Sequence, residues 1–536
     1  MTIENETLSA AEELTVIDIE DKEKAEDKPT TGQTQRKLKA RHLSMIAIGG
    51  TIGSGLFLNS GQALASAGPV GALLGFAFMG LVVFSVTTSL GEMCAFLPIP
   101  GSFTNYATRF VDPALGFATG WNYWYSYAIT LPAEITAAAI VISYWNSPVN
   151  IAVWITIFYV ACFALNMIGA DAYGEAEFWM AIIKVVTVIG LIILGFVLIC
   201  GGGPTHDVVG FRYWKDPGPF NSIMVDNGGG YFLATCAVFV QAAFSYLGTE
   251  IVAVTSGEAE NPTKTLPRAI KRVFIRIILF YLLGVFVIGM LIPSDDPRLL
   301  GGSSDASASP FVIFIEIAQI QVLPSIINAV ILTAALSAGN SDLYAASRTL
   351  YALAIEGKAP SFLKRCNKRG LPYFSVIVTG AFGLLAFLNV SQSGSKVFNW
   401  FILFTTVTGL AAWAVICLSY IRFHAALKYH KIDRNTLPYR SPLQPYSAWF
   451  GFVMCIIIII FNGFTDFSPF DPISFVSSYG NIPIFFGLFF GYKFIKKTKI
   501  VPLSEVDFTM TKGYEIAGKD ELTKDTLLER IMNILM

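Results

Sequence analysis

Residues 71–90 read GALLGFAFMGLVVFSVTTSL, an uncharged run that matches the ~20 residues an α-helix needs to cross a bilayer. The same character extends over the whole chain, since 54% of its 536 residues are hydrophobic and only 14% are charged. Soluble globular domains carry roughly 25% charged residues, so most of this surface must face something other than water. The composition predicts a membrane protein, and the net charge of −1 offers nothing that a nucleic acid would attract.

Apolar runs of helical length recur along the chain and predict an all-α polytopic fold with about twelve transmembrane helices. These predicted spans, numbered 1 to 12 below, are 43–67, 71–96, 114–145, 150–169, 176–201, 231–257, 273–293, 322–356, 374–391, 397–421, 449–464 and 481–495. The sequence therefore predicts three parts of the chain: a disordered cytoplasmic tail over 1–42, a twelve-helix domain over 43–495, and a second cytoplasmic tail over 496–536.

The distribution of basic residues predicts the orientation of the chain. Five lysines and arginines lie in each of the loops 264–276, 358–369 and 422–440, which follow spans 6, 8 and 10. The loops after the odd-numbered spans hold few lysines and arginines. Because cytoplasmic loops carry the excess of Lys and Arg, both termini are predicted to be cytoplasmic.

Span 1 contains the glycine-rich stretch 46-IAIGGTIGSGLF-57. Each glycine costs a helix about 1 kcal/mol relative to alanine, so a continuous helix is disfavoured here. Irregular backbone at membrane depth is tolerated where it lines a cavity or is buried in protein. An unwound stretch would free the amides of residues 51–55 for a carboxylate, at the positive end of a half-helix. These residues are Thr51, Ile52, Gly53, Ser54 and Gly55. The alternative is a small-residue face for helix packing.

Span 6 contains a second break, in 244-FSYLGTEIVAVTSGEAENP-262, where polar residues surround Gly248. Interrupted helices at corresponding positions of two five-span halves are typical of a transporter binding site. An odd number of spans in each half makes the repeat inverted. Freed carbonyls near Ile48, Phe244 and Ser245 would receive an ammonium group, so the two breaks together predict a zwitterion site for an amino acid.

Three ionisable residues fall inside predicted spans: Glu134 in span 3, Lys184 in span 5 and Glu250 after the break in span 6. Burying such a residue costs about 2.5–3.5 kcal/mol on insertion scales, which makes each a candidate for proton coupling or gating. The alternative for each is a structural ion pair or helix cap. Asn340 and Asp342 form a polar island in span 8 that either lines an ion or proton route or bonds to neighbouring helices.

Enzymatic chemistry is not predicted. No nucleophile–base pair or metal-ligand cluster is evident, and the four histidines lie in terminal or loop positions. The predicted protein is therefore not an enzyme and needs no cofactor.

Several motifs in this order resemble those of the fungal amino-acid permeases, the yeast amino acid transporter type of the amino acid–polyamine–organocation superfamily. They are IAIGGTIGSGLF at 46–57, SLGEM at 89–93, FSYLGTEIVAVTSGEAENP at 244–262 and SAGNSDLYAASRTLYALAIEGKAP at 337–360. The resemblance extends from about residue 40 to about residue 500. It implies a LeuT-like fold, in which a 5+5 inverted repeat is followed by two helices. It also implies proton-coupled uptake of amino acids at the plasma membrane, with the proton as coupling ion.

The resemblance implies roles for individual residues. The amides of Ser54 and Gly55 would hold the substrate carboxylate, and backbone near Ile48, Phe244 and Ser245 would hold its amine. Phe244 resembles an aromatic gate, Glu250 the acid at the span 6 break, and Lys184 a lysine that carries the coupling proton. Ser126 and Thr408 resemble positions that face the substrate side chain. Lysines of the N-terminal tail (Lys22, Lys24, Lys28) resemble ubiquitination sites, which implies ubiquitin ligase adaptors as partners.

The substrate range stays open at this point. The segment 210-GFRYWKDPGPF-220 is similar to the basic amino-acid permeases, whereas small residues in 131-LPAEITAAA-139 depart from them. The expected function is a proton-coupled symporter for basic or broad-range L-amino acids. Two alternatives use the same scaffold: an amino-acid sensor and an amino-acid exchanger. A vacuolar rather than plasma-membrane location also stays open.

Overall fold

The structure, a computed structural model, is described over ten stretches of the chain. These are Leu38, 40–49, 52–99, 101–145, 147–258, Ile270, 277–299, 309–390, 394–467 and 470–509. Within them the chain is helical and forms no β-sheet. This confirms the predicted all-α fold.

Ten helical runs in the described stretches are long and apolar enough to cross a membrane. They are Gly55–Phe96, Pro113–Ser143, Ile151–Ile168, Ala170–Ile199, Gly228–Val254, Leu323–Ile355, Tyr373–Val390, Trp400–Tyr429, Tyr446–Asp466 and Pro472–Lys496. A shorter apolar helix, Ile277–Leu291, stands at predicted span 7. The first run bends at Gly68, whose φ of 74° interrupts the helix between spans 1 and 2. Each predicted span thus has a helical counterpart, as expected for a polytopic membrane protein.

Span 1 is interrupted where its glycines predicted a break. Helix Ala40–Gly49 ends there, Ile52 and Gly53 are not helical, and the chain resumes with a π-helical turn over Gly55–Asn59. The following helix, Ser60–Phe96, continues into span 2.

Span 6 is interrupted as well. Helix Gly228–Tyr246 ends at Leu247, whose φ of −55° and ψ of 145° are extended. Gly248 follows with a φ of 94°, a conformation that favours glycine because it has no Cβ. The chain then resumes as the short helix Ile251–Val254 and a 3-10 turn over Thr255–Glu258.

The two breaks touch each other. The hydroxyl of Ser245 donates a hydrogen bond to the carbonyl of Gly55 at 2.9 Å. A Cβ on Gly55 would lie only 2.6 Å from the Cα of Ser245, so this approach requires glycine. Tyr281 of span 7 braces the same point, since its hydroxyl donates to the Ser245 carbonyl at 2.8 Å.

Span 3 is the central helix of the domain. In the most apolar 18-residue stretch of span 3, 89% is buried within the protein. In the corresponding stretch of span 12, 17% is buried. Span 3 packs along spans 8 and 10. Because other helices surround span 3, its polar side chains also lie inside the domain.

Residues 500–509 pack against one face of the helical domain, although the sequence assigned them to a tail. The amide of Val501 donates to the Val111 carbonyl at 2.9 Å, and Arg109 pairs with Asp507 at 3.5 Å. The Phe508 ring lies 5.7 Å from that of Phe96 and 6.0 Å from that of Phe110. This stretch packs on the end of span 2, on Phe423 after span 10 and on the short helix Phe103–Phe110 before span 3.

Candidate functional site

A narrow cavity of about 30 Å³ lies between the two helix breaks. This volume admits roughly one or two water molecules, so the site is closed to an amino acid in this conformation. Its lining residues are Gly53, Gly55, Ser126, Tyr127, Thr130, Glu134, Phe244, Ser245, Leu247, Gly248, Ala338 and Asp342. Most of the residues predicted from spans 1, 3 and 6 are therefore brought together.

Some predicted residues lie elsewhere. Thr408 is buried behind the cavity and donates a hydrogen bond to Ser126 at 2.6 Å, so it supports a residue that lines the cavity. Thr51 and the tail lysines Lys22, Lys24 and Lys28 lie outside the described residues. Ile48 is the penultimate residue of helix Ala40–Gly49.

Glu134 places a carboxylate at the start of the second half of span 1. The Ser54 hydroxyl donates to its Oε1 at 2.7 Å. The other oxygen, Oε2, is buried and meets no hydrogen-bond partner among the described residues. A side-chain carboxylate of the protein thus occupies the half-helix terminus where the sequence predicted a substrate carboxylate.

Glu250 lies next to the cavity without lining it. Its carboxylate accepts hydrogen bonds from four side chains: Tyr127 at 2.6 Å, Trp413 at 3.0 Å, Thr249 at 3.2 Å and Tyr123 at 3.5 Å. Donors from spans 3 and 10 therefore hold the span 6 break in place. Glu250 precedes helix Ile251–Val254 without a side-chain cap hydrogen bond, and its four donors are uncharged. These contacts match neither the ion pair nor the helix cap, and the coupling role of Glu250 stays a prediction.

Lys184 belongs to a buried polar cluster between spans 5 and 8. Its ammonium donates to Ser337 at 2.9 Å and lies 3.4 Å from Glu177, and the Ser337 hydroxyl donates to Glu177 at 2.5 Å. Lys184, Glu177 and Ser337 are all fully buried. Glu177 was missed from the sequence, although it lies seven residues before Lys184 and hence on the same helix face.

The rest of the polar island in span 8 divides into two groups. Asn340 accepts a hydrogen bond from Asn166 at 2.8 Å, and Ser341 lies 3.1 Å from the Tyr173 hydroxyl, so both bond to neighbouring helices. Asp342 instead faces the cavity.

A second, larger cavity of about 530 Å³, called the vestibule here, lies one helical turn from the first. Gln241 lines the vestibule, and Ser245, four residues later in the same helix, lines the narrow cavity. Phe244 belongs to an apolar cluster with Leu58 and Ile402, and Ile402 also lines the vestibule. The vestibule has the volume of an ordinary small-molecule site, and this cluster separates it from the helix breaks.

The path on the other side of the breaks is closed by charged and aromatic side chains. Arg348 of span 8 donates to Glu258 at 2.9 Å, and the Tyr344 hydroxyl donates to the same carboxylate at 2.7 Å. Tyr173 stacks on Tyr344 with ring centroids 4.0 Å apart. The site is thus closed more heavily on this side than towards the vestibule.

A loop anchor lies near that closed face. Arg434 donates to both oxygens of Glu92 at 2.8 Å, and the amide and hydroxyl of Ser441 donate to Glu92 as well. The hydrogen bonds to Glu92 raise the pKa of Arg434 above its ordinary value. The loop after span 10 is therefore held to the end of span 2.

Comparison with known proteins agrees with this architecture. A family model described as "Amino acid permease" matches residues 42–504. The chain is 45% identical to the dicarboxylic amino acid permease of Saccharomyces cerevisiae, covering 92% of this chain and 82% of that protein. It is 44% identical to the basic amino-acid permease of the same yeast (94% and 89%). It is 43% identical to the proline-specific permease of Emericella nidulans (93% and 90%). The chain therefore belongs to the amino acid permease family, as an integral multi-pass membrane protein that transports amino acids and is not an enzyme.

Proposed function

We propose that this permease is a proton-coupled symporter that takes up basic or broad-range L-amino acids at the plasma membrane, with both termini in the cytoplasm. The observation that carries the proposal is the position of Glu134. Its carboxylate, bonded by Ser54 at 2.7 Å, stands where the substrate carboxylate is expected to bind.

Two carboxylates cannot share this place while both are ionised, because like charges at short range in a buried site repel strongly. A proton on Glu134 removes one of the charges and frees the half-helix terminus for the substrate. The proton and the amino acid therefore bind together, which is the basis of symport.

Lys184 supports the same cycle from behind the cavity. Its hydrogen-bond partner Ser337 directly precedes Ala338, which lines the same cavity as Glu134. A cation at this point stabilises the ionised carboxylate once the proton has been released. The buried pair of Lys184 and Glu177 offers the released proton a path towards the closed face.

The route of the substrate follows from the asymmetry of the two sides. The amino acid enters through the vestibule, and the Phe244 cluster moves to admit it to the helix breaks. The pair of Glu258 and Arg348 must then open for release on the other side. The excess of Lys and Arg in the loops after spans 6, 8 and 10 supports an outward-facing vestibule in this proposal.

The names of the relatives do not indicate which amino acid this chain transports. Their names include dicarboxylic, basic, lysine-specific and proline-specific permeases, at 43–45% identity to this chain. Overall identity to named relatives therefore leaves the substrate of this chain to be measured.

The test is uptake of labelled arginine, lysine, glutamate, proline and leucine by a yeast strain that lacks its own permeases. Uptake is measured at acidic and at neutral pH, with and without a protonophore. Proton symport predicts accumulation that is greater at acidic pH and is abolished by the protonophore. Uptake that needs amino acid inside the cell and ignores the protonophore would indicate an exchanger. A surface-located protein that binds but accumulates nothing would indicate a sensor.

A further inference from the structure

The buried cluster around Lys184 and the ion pair that closes the side away from the vestibule are joined by the same two helices. Spans 5 and 8 pack against each other. On span 5, Tyr173 and Glu177 are four residues apart and so share one helix face. Ser337 and Ser341 of span 8 have the same spacing. Polar side chains therefore line both sides of this contact, called the span 5–8 interface here.

Two hydrogen bonds cross the span 5–8 interface, one helical turn apart. The Ser337 hydroxyl donates to Glu177 at 2.5 Å. The hydroxyls of Tyr173 and Ser341 lie 3.1 Å apart. All four side chains are buried. Because a buried polar group that loses its partner is costly, a displacement of the helices at one bond must be accommodated at the other.

Tyr173 also reaches the closed side. Its ring stacks on that of Tyr344, with centroids 4.0 Å apart and ring planes within 5° of parallel. The Tyr344 hydroxyl donates to Glu258 at 2.7 Å, and the Arg348 guanidinium lies 4.3 Å from the centre of the Tyr344 ring. Tyr344 thus contacts both members of the ion pair that has to open, and Tyr173 extends these contacts to span 5.

The other end of the span 5–8 interface reaches the narrow cavity. Ala338 directly follows Ser337 and lines this cavity together with Glu134. A Cβ on Gly339 would lie 3.5 Å from the Glu134 Cβ, so span 8 packs on this turn of span 3. The interface therefore lies between the proposed proton carrier and the pair that must open for release.

We propose that Tyr173 is a positioning residue that couples the protonation of Glu177 to the opening of the Glu258–Arg348 pair. The closed side then opens once the proton has passed from Glu134 to Glu177, so that substrate and proton are released together. This role rests on the proposed symport function and adds the link between the proton and substrate release.

The proton transfer exchanges the charges of two carboxyl groups. The O–H bond of Glu134 breaks and an O–H bond forms on Glu177, so that Glu134 becomes the anion and Glu177 becomes neutral. Lys184, 3.4 Å from Glu177, then loses its adjacent negative charge and is available to stabilise the ionised Glu134. The other charged or titratable side chains on the surrounding elements are Asp342 of span 8 and, in span 1, Arg41 and His42, which pair with Glu175 of span 5.

The same transfer reverses a hydrogen bond at the interface. A protonated Glu177 is a donor towards Ser337, whose hydroxyl donates to the ionised group, so this bond must rearrange. The bond between Tyr173 and Ser341 lies one turn further along the same two helices. Through the stacked rings, the rearrangement reaches Tyr344 and hence the pair that it holds closed.

Tyr173→Phe isolates the hydroxyl, because the ring and its stack on Tyr344 are retained. Lysine entry and proton entry are measured together on the full-length protein, in sealed liposomes that contain a pH-sensitive dye. We expect downhill lysine entry to continue and the number of protons that enter per lysine to fall at least about twofold. This is the lower end of what one hydrogen bond contributes to an equilibrium.

Ser341→Ala removes the same bond from the other helix. It should lower the proton-to-lysine ratio by the same factor, and the double variant should lower it no further, because both changes remove one interaction. Tyr106→Phe is the matched control. It removes another buried tyrosine hydroxyl, which donates to the Leu97 carbonyl at 2.5 Å in the helix before span 3, and its ratio should equal that of wild type.

Lysine entry and proton entry that fall together in Tyr173→Phe, at an unchanged ratio, overturn the coupling role, since a residue that only stabilises the fold gives that result. Losses that multiply in the double variant overturn it as well. If Tyr173→Phe does not fold, the ratio measured for Ser341→Ala decides in the same way. Failure of the symport proposal is distinguishable, because wild type would then show lysine entry without proton entry.

Discussion

The buried acidic side chains around the cavity differ in the number of donors that they meet. Glu250 is surrounded by donors from spans 3, 6 and 10, which is the environment of a carboxylate that fixes structure. Glu134 accepts from Ser54 on one oxygen, and its other oxygen has no donor among the described residues. A group with an unused oxygen facing a cavity can change its protonation state or its partner at low cost to the fold.

Glu134→Gln should separate transport from proton coupling. The amide oxygen can still accept from Ser54, but the side chain can neither gain nor lose a proton. We expect exchange of amino acid across the membrane to persist and accumulation against a gradient to disappear. Counterflow and net uptake measured side by side check this. Ser54→Ala is the matched contrast, since it weakens the site but leaves Glu134 able to titrate. Accumulation by Glu134→Gln that still depends on pH would contradict the proposed role.

Lys184→Ala should reduce the amount of folded protein. The change leaves the buried Glu177 without its cation, and breaking a buried pair by removing one partner costs about 3–5 kcal/mol. We expect little protein at the cell surface, measured by surface labelling.

The double variant Lys184→Met with Glu177→Gln separates folding from coupling. It removes both charges at similar side-chain volume, so surface protein should recover. Net uptake should stay absent if Lys184 takes part in proton movement. A double variant that accumulates substrate as wild type does would show that the pair is structural only.

At the scale of helical elements, the contact between the two breaks leaves no space for a side chain. Gly55→Ala would place a methyl group 2.6 Å from the Ser245 Cα, and backbone at that distance cannot move aside cheaply. We expect transport to be lost, with protein still present in the membrane. Gly190→Ala is the matched control, because no atom lies within 4 Å of its added Cβ. Radiolabelled uptake, normalised to surface protein, is measured for both variants. Normal uptake by Gly55→Ala would contradict the close contact.

The positions of the helices and of both breaks were predictable from sequence, because hydropathy and glycine content are local properties. The partners of buried polar groups were not. Glu177 beside Lys184 and the ring of donors around Glu250 depend on which faces of different helices meet. Spans that are apolar on nearly all sides carry little information about facing, so Asp342 could not be assigned to the cavity rather than to a packing contact.

At the scale of the whole molecule, the domain is closed unequally on its two sides. An apolar cluster that includes Phe244 separates the helix breaks from the vestibule, whereas one ion pair and two stacked tyrosines close the opposite side. This is the arrangement expected of a transporter in which the vestibule side opens with the smaller rearrangement.

The segment 500–509 should stabilise the closed side. A chain shortened to residue 499 loses the contacts of Phe508, Val501 and Asp507, at a cost of about 2–4 kcal/mol in unfolding free energy if one large and one small apolar side chain become exposed. A chain shortened to residue 509 keeps all of them. Thermal inactivation in detergent compares the two. Equal inactivation temperatures would show that the segment contributes nothing to stability.

The most direct test of proton-coupled symport is made with the purified full-length protein in sealed liposomes that contain a pH-sensitive dye. Lysine is added outside, with no amino acid inside and with the membrane potential clamped. Proton-coupled symport predicts that lysine entry acidifies the interior, that an imposed pH gradient drives lysine above its outside concentration, and that Glu134→Gln does neither. Lysine entry without acidification, or entry only into liposomes preloaded with amino acid, would contradict the coupling of substrate and proton.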